Sequence, residues 1–200
     1  VSPESVVRET LDNGAVLLVK ENHASPTVTI EGNIDAGGLY EEDATAGLAS
    51  MTAVMLRRGT EAHTFQELNV LLDDIGASLS FYAGRDEASF SGRALAADLG
   101  LLVDTAVEIL TRPSFSPTEL ERMRGQLLTQ LGVAEMDTGY RADLAFDAAL
   151  YPPGHPYARP VAGTRETVTA LQRDQLIAFY RAHYHPAALV VSVVGDVRAG

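Results

Sequence analysis

The 200-residue chain is 46% hydrophobic and sets 15 Lys and Arg against 27 Asp and Glu, a net charge of −12 at neutral pH. That apolar content excludes a disordered polymer, and the acidity argues against a phosphate-tracking surface and so against nucleic acid as a partner. No run of about 18 apolar residues could span a bilayer. The absence of cysteine removes disulfides, Cys-ligated zinc, iron–sulfur clusters and thiol catalysis, and it leaves the compartment open.

The opening Val1-Ser2-Pro3, without initiator Met, basic segment or apolar leader, reads as a mature or excised part of something longer. Val6–Leu11 and Ala15–Val19 flank Asp12-Asn13-Gly14, and Asn-Gly favours a two-residue hairpin turn, so these runs are expected to pair antiparallel. After Pro26, Val28, Ile30 and Ile34 alternate with Thr27, Thr29, Glu31 and Asn33, the period of a strand with one buried face. Residues 45–58 turn helical and end in Arg57-Arg58-Gly59; Leu48, Ala49, Met51, Ala53, Val54, Met55 and Leu56 wrap most of the circumference, which predicts a buried helix.

Thr64 with Glu67 forms a capping-box signature for a helix carrying Leu68, Leu71, Leu72 and Ile75 and stopping at Gly76. Strands over 77–83 and 87–95 follow, then helices over 97–111 (apolar at Leu99, Leu102, Val103, Ala106, Val107 and Leu110), 117–136 and 140–150. Tyr151-Pro152-Pro153-Gly154-His155-Pro156 is irregular by composition. A helix over 173–183 and a strand over 188–194 close the chain. Grouped strands with hairpins predict a single α+β domain over 1–200, an antiparallel sheet with helices packed on one face.

The residues alone assemble no catalytic set. The five histidines include only one close pair, His183-x-His185 beside Pro186, which reads as a solvated helix terminus rather than a metal site. His155 reads as a structural loop histidine. No nucleophile elbow or glycine-rich phosphate loop is present, and the carboxylates, Glu119 and Glu121 among them, read as solvated helix faces.

Several segments together resemble the pitrilysin/insulinase-type (M16) zinc peptidase family, which includes the mitochondrial processing peptidases. Leu11-Asp12-Asn13-Gly14 resembles its first hairpin, Ala36-Gly37-Gly38-Leu39-Tyr40-Glu41 its "AGS-x-x-E" stretch, and Gly47 to Thr60 the frame of its active-site helix. Gly154 to Thr164 is similar to its central loop, and Phe179 to Asp196 to its closing strand. The resemblance implies the half-domain fold of the metallohydrolase type found in processing peptidases.

In active members that helix carries H-x-x-E-H, two zinc ligands and a base, with a third ligand on a later helix. The corresponding positions here are Ser50, Ala53, Val54 and Gln130. The resemblance therefore implies a non-catalytic domain with no metal of its own, scaffolding a chamber and contacting peptide beside an active zinc-peptidase subunit or repeat. Two alternatives stay open: a parent zinc metalloendopeptidase whose H-x-x-E-H lies in another domain, and a purely structural core-type subunit. Ser50 is expected to hydrogen-bond a carbonyl one turn back, or Gln130.

Overall fold

The computed structural model describes residues 6–199; Val1-Ser2-Pro3 lies outside them. The first turn shows how local chemistry sets geometry. Strands β1 (Val7–Thr10) and β2 (Val16–Glu21) pair antiparallel, with Thr10 opposite Val16. The loop has three residues rather than the two expected: Leu11 N–H donates to Ala15 O at 2.8 Å and Gly14 N–H to Leu11 O at 2.8 Å. Only Gly14 takes positive φ, at 90°. Asn13 instead uses its side chain, accepting the Ala15 N–H at 3.1 Å, so one left-handed residue suffices where a two-residue turn needs two.

The remaining strands are β3 (Thr27–Ile34), β4 (Ser78–Ala83), β5 (Ala88–Leu95) and β6 (Leu189–Gly195). They form one six-stranded sheet in the order β1-β2-β6-β3-β5-β4. Its neighbours are antiparallel except for β2 and β6, which run parallel, so the sheet is mixed rather than purely antiparallel. A parallel neighbour requires a long crossover, and here nearly the whole helical part of the chain supplies it.

The alternation in β3 sorts its faces as its sequence predicts: Val28, Ile30 and Ile34 are buried, while Glu31 and Asn33 face solvent. Leu79, Phe90 and Ala94 join them in the core. Helices α1 (Leu48–Leu56), α2 (Phe65–Asp73), α3 (Leu99–Thr111), α4 (Pro117–Ala134), α5 (Thr138–Leu150), α6 (Arg165–Ala170) and α7 (Arg173–His183) complete the α+β fold. α1 lies against β4, β5, α4 and α7, which explains its nearly all-round apolar surface. It is shorter than its sequence suggests, because residues 43–45 form a separate 3-10 turn.

One helix goes unpredicted, and one expectation about helix burial fails. α6, six residues opened by a Thr164–Thr167 capping box, was not legible as a helix. On α3 the buried stripe is Leu102, Thr105, Ala106 and Ile109, whereas Val103 and Val107 are 37% and 50% exposed. They rim an apolar groove against Leu17, Val191 and Val193 on the β2–β6 side of the sheet, where no helix of the described residues covers them.

Candidate functional site

α1 is aimed by a buried carboxylate. Glu41, 7% exposed, accepts the N–H groups of Ala49 at 2.6 Å and Gly47 at 3.1 Å, satisfying donors that the first helical turn leaves free. Burial pushes its pKa up against the pull of those two hydrogen bonds. This corrects the expectation that no carboxylate is buried and paired; Glu119, read as part of a solvated helix face, also departs from expectation, with one carboxylate oxygen fully buried.

The central loop backs the same helix terminus. A side chain at Gly163 would put its Cβ 2.3 Å from the Ala46 carbonyl, so only glycine permits this approach. Thr167 Oγ1 donates to that same carbonyl at 2.8 Å. Arg159 donates to Gly38 O at 2.9 Å and to Asp43 at 3.1 Å, and Tyr157 OH donates to Asp86 at 2.6 Å. His155 is structural, as expected: its Nδ1 accepts the Tyr157 N–H at 3.1 Å and its ring stacks on Tyr151 at 4.8 Å.

With α1 fixed, Ser50 and Val54 sit one turn apart and half-buried, and Ala53 beside them is 1% exposed. Gln130 lies on α4, which touches α1, but its side chain is exposed because Leu127, Leu128 and Leu131 take the inward face. No hydrogen bond joins Ser50 to Gln130 or to the preceding turn among the described residues, so the expected polar link is not formed. Thr129 instead donates back to Gly125 O at 2.9 Å.

The donor set does not suit zinc. One hydroxyl, two hydrocarbon side chains and a neutral amide offer neither imidazole nor carboxylate at these places. No group of three or more His, Asp or Glu side chains is arranged to hold a metal ion among the described residues. His183 is not the solvated terminus expected: it packs between Tyr40 and Phe179, each at 4.6 Å between ring centroids, and burial, then the neighbouring His185, lowers its pKa.

The site is thus a buried helix against β4 and β5, a second helix packed on it, and a loop riveted over the first helix's N-terminus, one α+β half. Residues 16–164 match the insulinase (peptidase M16) family, and the chain belongs to that family. It is 27% identical over 202 residues to a probable mitochondrial-processing peptidase subunit beta from Arabidopsis thaliana, covering 98% of this chain and 37% of the relative. It is also 27% identical to an uncharacterized zinc protease of Mycobacterium leprae, covering 96% of this chain and 43% of that protein. Among solved structures, a peptidase M16 inactive domain from Pseudomonas fluorescens superposes with a TM-score of 0.90 at 26% identity, covering 96% of this chain and 47% of that one. The chain thus spans less than half the length of the relatives it matches.

Proposed function

We propose that this is a non-catalytic M16 peptidase-like domain, which forms chamber wall and contacts peptide beside an active zinc-peptidase subunit or repeat. The observation that carries the reading is the side-chain chemistry at Ser50, Ala53, Val54 and Gln130, set in an otherwise intact frame of α1 and α4. The inactive domain from Pseudomonas fluorescens, with its high structural similarity, supports it. Peptide contact is supported by β4, an edge strand beside α1 that among the described residues has a neighbour only in β5, and so leaves one side open to an extended chain. The charge of −12 favours basic segments there.

The test is metal analysis and zinc calorimetry on the purified chain, with fluorescence anisotropy of a labelled basic peptide. The expected result is no stoichiometric zinc and salt-sensitive peptide binding; tight, one-to-one zinc would overturn the reading. A second reading is favoured by the length of the relatives: the parent polypeptide is a zinc metalloendopeptidase whose H-x-x-E-H lies in another domain. An intact motif elsewhere in the same coding sequence decides for it, and its absence decides against it.

A further inference from the structure

Beyond the C-terminal end of α1, a cleft of about 330 Å³ opens between the turn over 59–65 and the start of α4. Its walls are stitched by backbone hydrogen bonds: Thr60 N–H to His63 O at 2.8 Å, Ser114 N–H to Gly59 O at 3.0 Å, and Glu61 N–H to Arg112 O at 3.0 Å. Two of the polar side chains at the rim are already engaged inside the protein. His63 Nδ1 lies 2.9 Å from Glu108 Oε1, and the Thr60 hydroxyl donates to the same oxygen.

Arg58 and Glu119 are different. The Arg58 guanidinium lies over the Phe65 ring, 4.3 Å from its centroid, and has neither hydrogen bond nor ion pair among the described residues. Partial burial lowers its pKa, and the nearby Glu119 charge opposes that shift only in part, without closing to an ion pair. Glu119 keeps only a loose ion pair, Oε1 to Arg122 Nη1 at 3.6 Å, with its side chain 19% exposed. Its Oε2 is buried with no donor. One cleft therefore holds a guanidinium with no hydrogen-bond partner among the described residues beside a carboxylate with a single loose ion pair, so both keep capacity to bind a ligand.

A guanidinium matches a carboxylate in shape and charge, and a carboxylate oxygen held by one loose ion pair can accept an N–H. We propose that this cleft binds an α-carboxylate whose α-nitrogen carries a hydrogen, with the carboxylate on Arg58 and Arg122 and the N–H on the accessible oxygen of Glu119, Oε1. The same chemistry occurs in a free amino acid and at the C-terminus of a peptide. Inorganic phosphate fits less well, since the ionised Glu119 would repel it. The cleft shares none of the four positions on α1 and α4 discussed above, so this proposal and the non-catalytic reading fail separately.

The test is an amide-resolved NMR titration of the 200-residue chain with four probes: L-alanine, N-acetyl-L-alanine, propionate and inorganic phosphate. Saturable shifts confined to residues 58–66 and 114–122 are expected with L-alanine, N-acetyl-L-alanine or both. Binding of the acetylated probe assigns the site to peptide C-termini, and binding of L-alanine alone assigns it to free amino acids. Arg58→Gln and Glu119→Gln, each with unchanged β3 and β5 resonances, should weaken the bound probe about tenfold. No saturable shift at ~20 mM of either alanine probe overturns the proposal. Propionate or phosphate binding as tightly as the alanine probes, or full affinity in both variants, overturns it equally.

Discussion

Rebuilding the metal site is the sharpest trial of the frame. Ser50→His and Val54→His place imidazoles at half-buried positions one turn apart, and Gln130→Glu changes an exposed side chain, so this triple variant should fold. Adding Ala53→Glu is another matter. That position is 1% exposed, and an unpaired carboxylate there costs roughly 3–5 kcal/mol, a large part of a typical domain's stability. A bound zinc ion reverses the balance: metal at about a thousand times its Kd stabilises the folded state by about 4 kcal/mol. For a chain of this size that amounts to a rise in Tm of about 8–16 °C. Differential scanning fluorimetry with zinc, and again with chelator, reads the shift directly. If the triple variant keeps the wild-type amide spectrum yet shows no zinc-dependent rise, Ser50, Val54 and Gln130 do not converge on one point, and their assignment is refuted.

Glu41→Ala should cost roughly 2–4 kcal/mol in urea unfolding, since it strands the N–H groups of Gly47 and Ala49, and Glu41→Gln should cost less. Because burial raises the Glu41 pKa, its folded form holds a proton more firmly than the unfolded chain does; stability from this group therefore falls as pH rises from the ordinary value of 4.5 through the folded pKa, a slope that should vanish in Glu41→Gln. His23, hydrogen-bonded to Asp196 at 2.5 Å and to Glu21 at 3.3 Å, should titrate above 6.5 by proton NMR, and Asp196→Asn should lower its midpoint. The stabilising effect of that cluster is complete below 6.5 and is lost as pH rises through the folded pKa. Arg159→Ala removes the bonds to Gly38 and Asp43 and should speed hydrogen exchange at loop residues 157–163 with little change in β3.

What could be read beforehand divides along physical lines. The Thr64–Glu67 capping box and the alternation in β3 are local patterns, and both form as written. The parallel pairing of β2 with β6 joins segments some 170 positions apart, and no local period records it. Val103 and Val107 misled because apolar spacing tells how a helix is striped, not which stripe a neighbour covers. α6 is short and rich in Thr and Val, so propensity argues against a helix that tertiary packing imposes. At the site, Ser50, Ala53, Val54 and Gln130 are silent as chemistry and were found only through the matching residues around them. Glu41 stands out in the sequence only as the end of a matching stretch; its role as a buried cap of α1 depends on a loop folding back over that helix.

The last strand of this sheet in chain order, Leu189–Gly195, lies between β2 and β3 in the middle of the sheet. During synthesis the hairpin of β1 and β2 and the three-stranded β3-β5-β4 unit must therefore wait as two separate pieces, each with an unpaired inner edge, until Leu189–Gly195 leaves the ribosome. Joining them closes the longest loops the chain contains, which makes assembly late and exposed to mispairing. A nascent chain stalled before residue 189 should accordingly remain protease-sensitive and dependent on chaperones, however well its helices have formed.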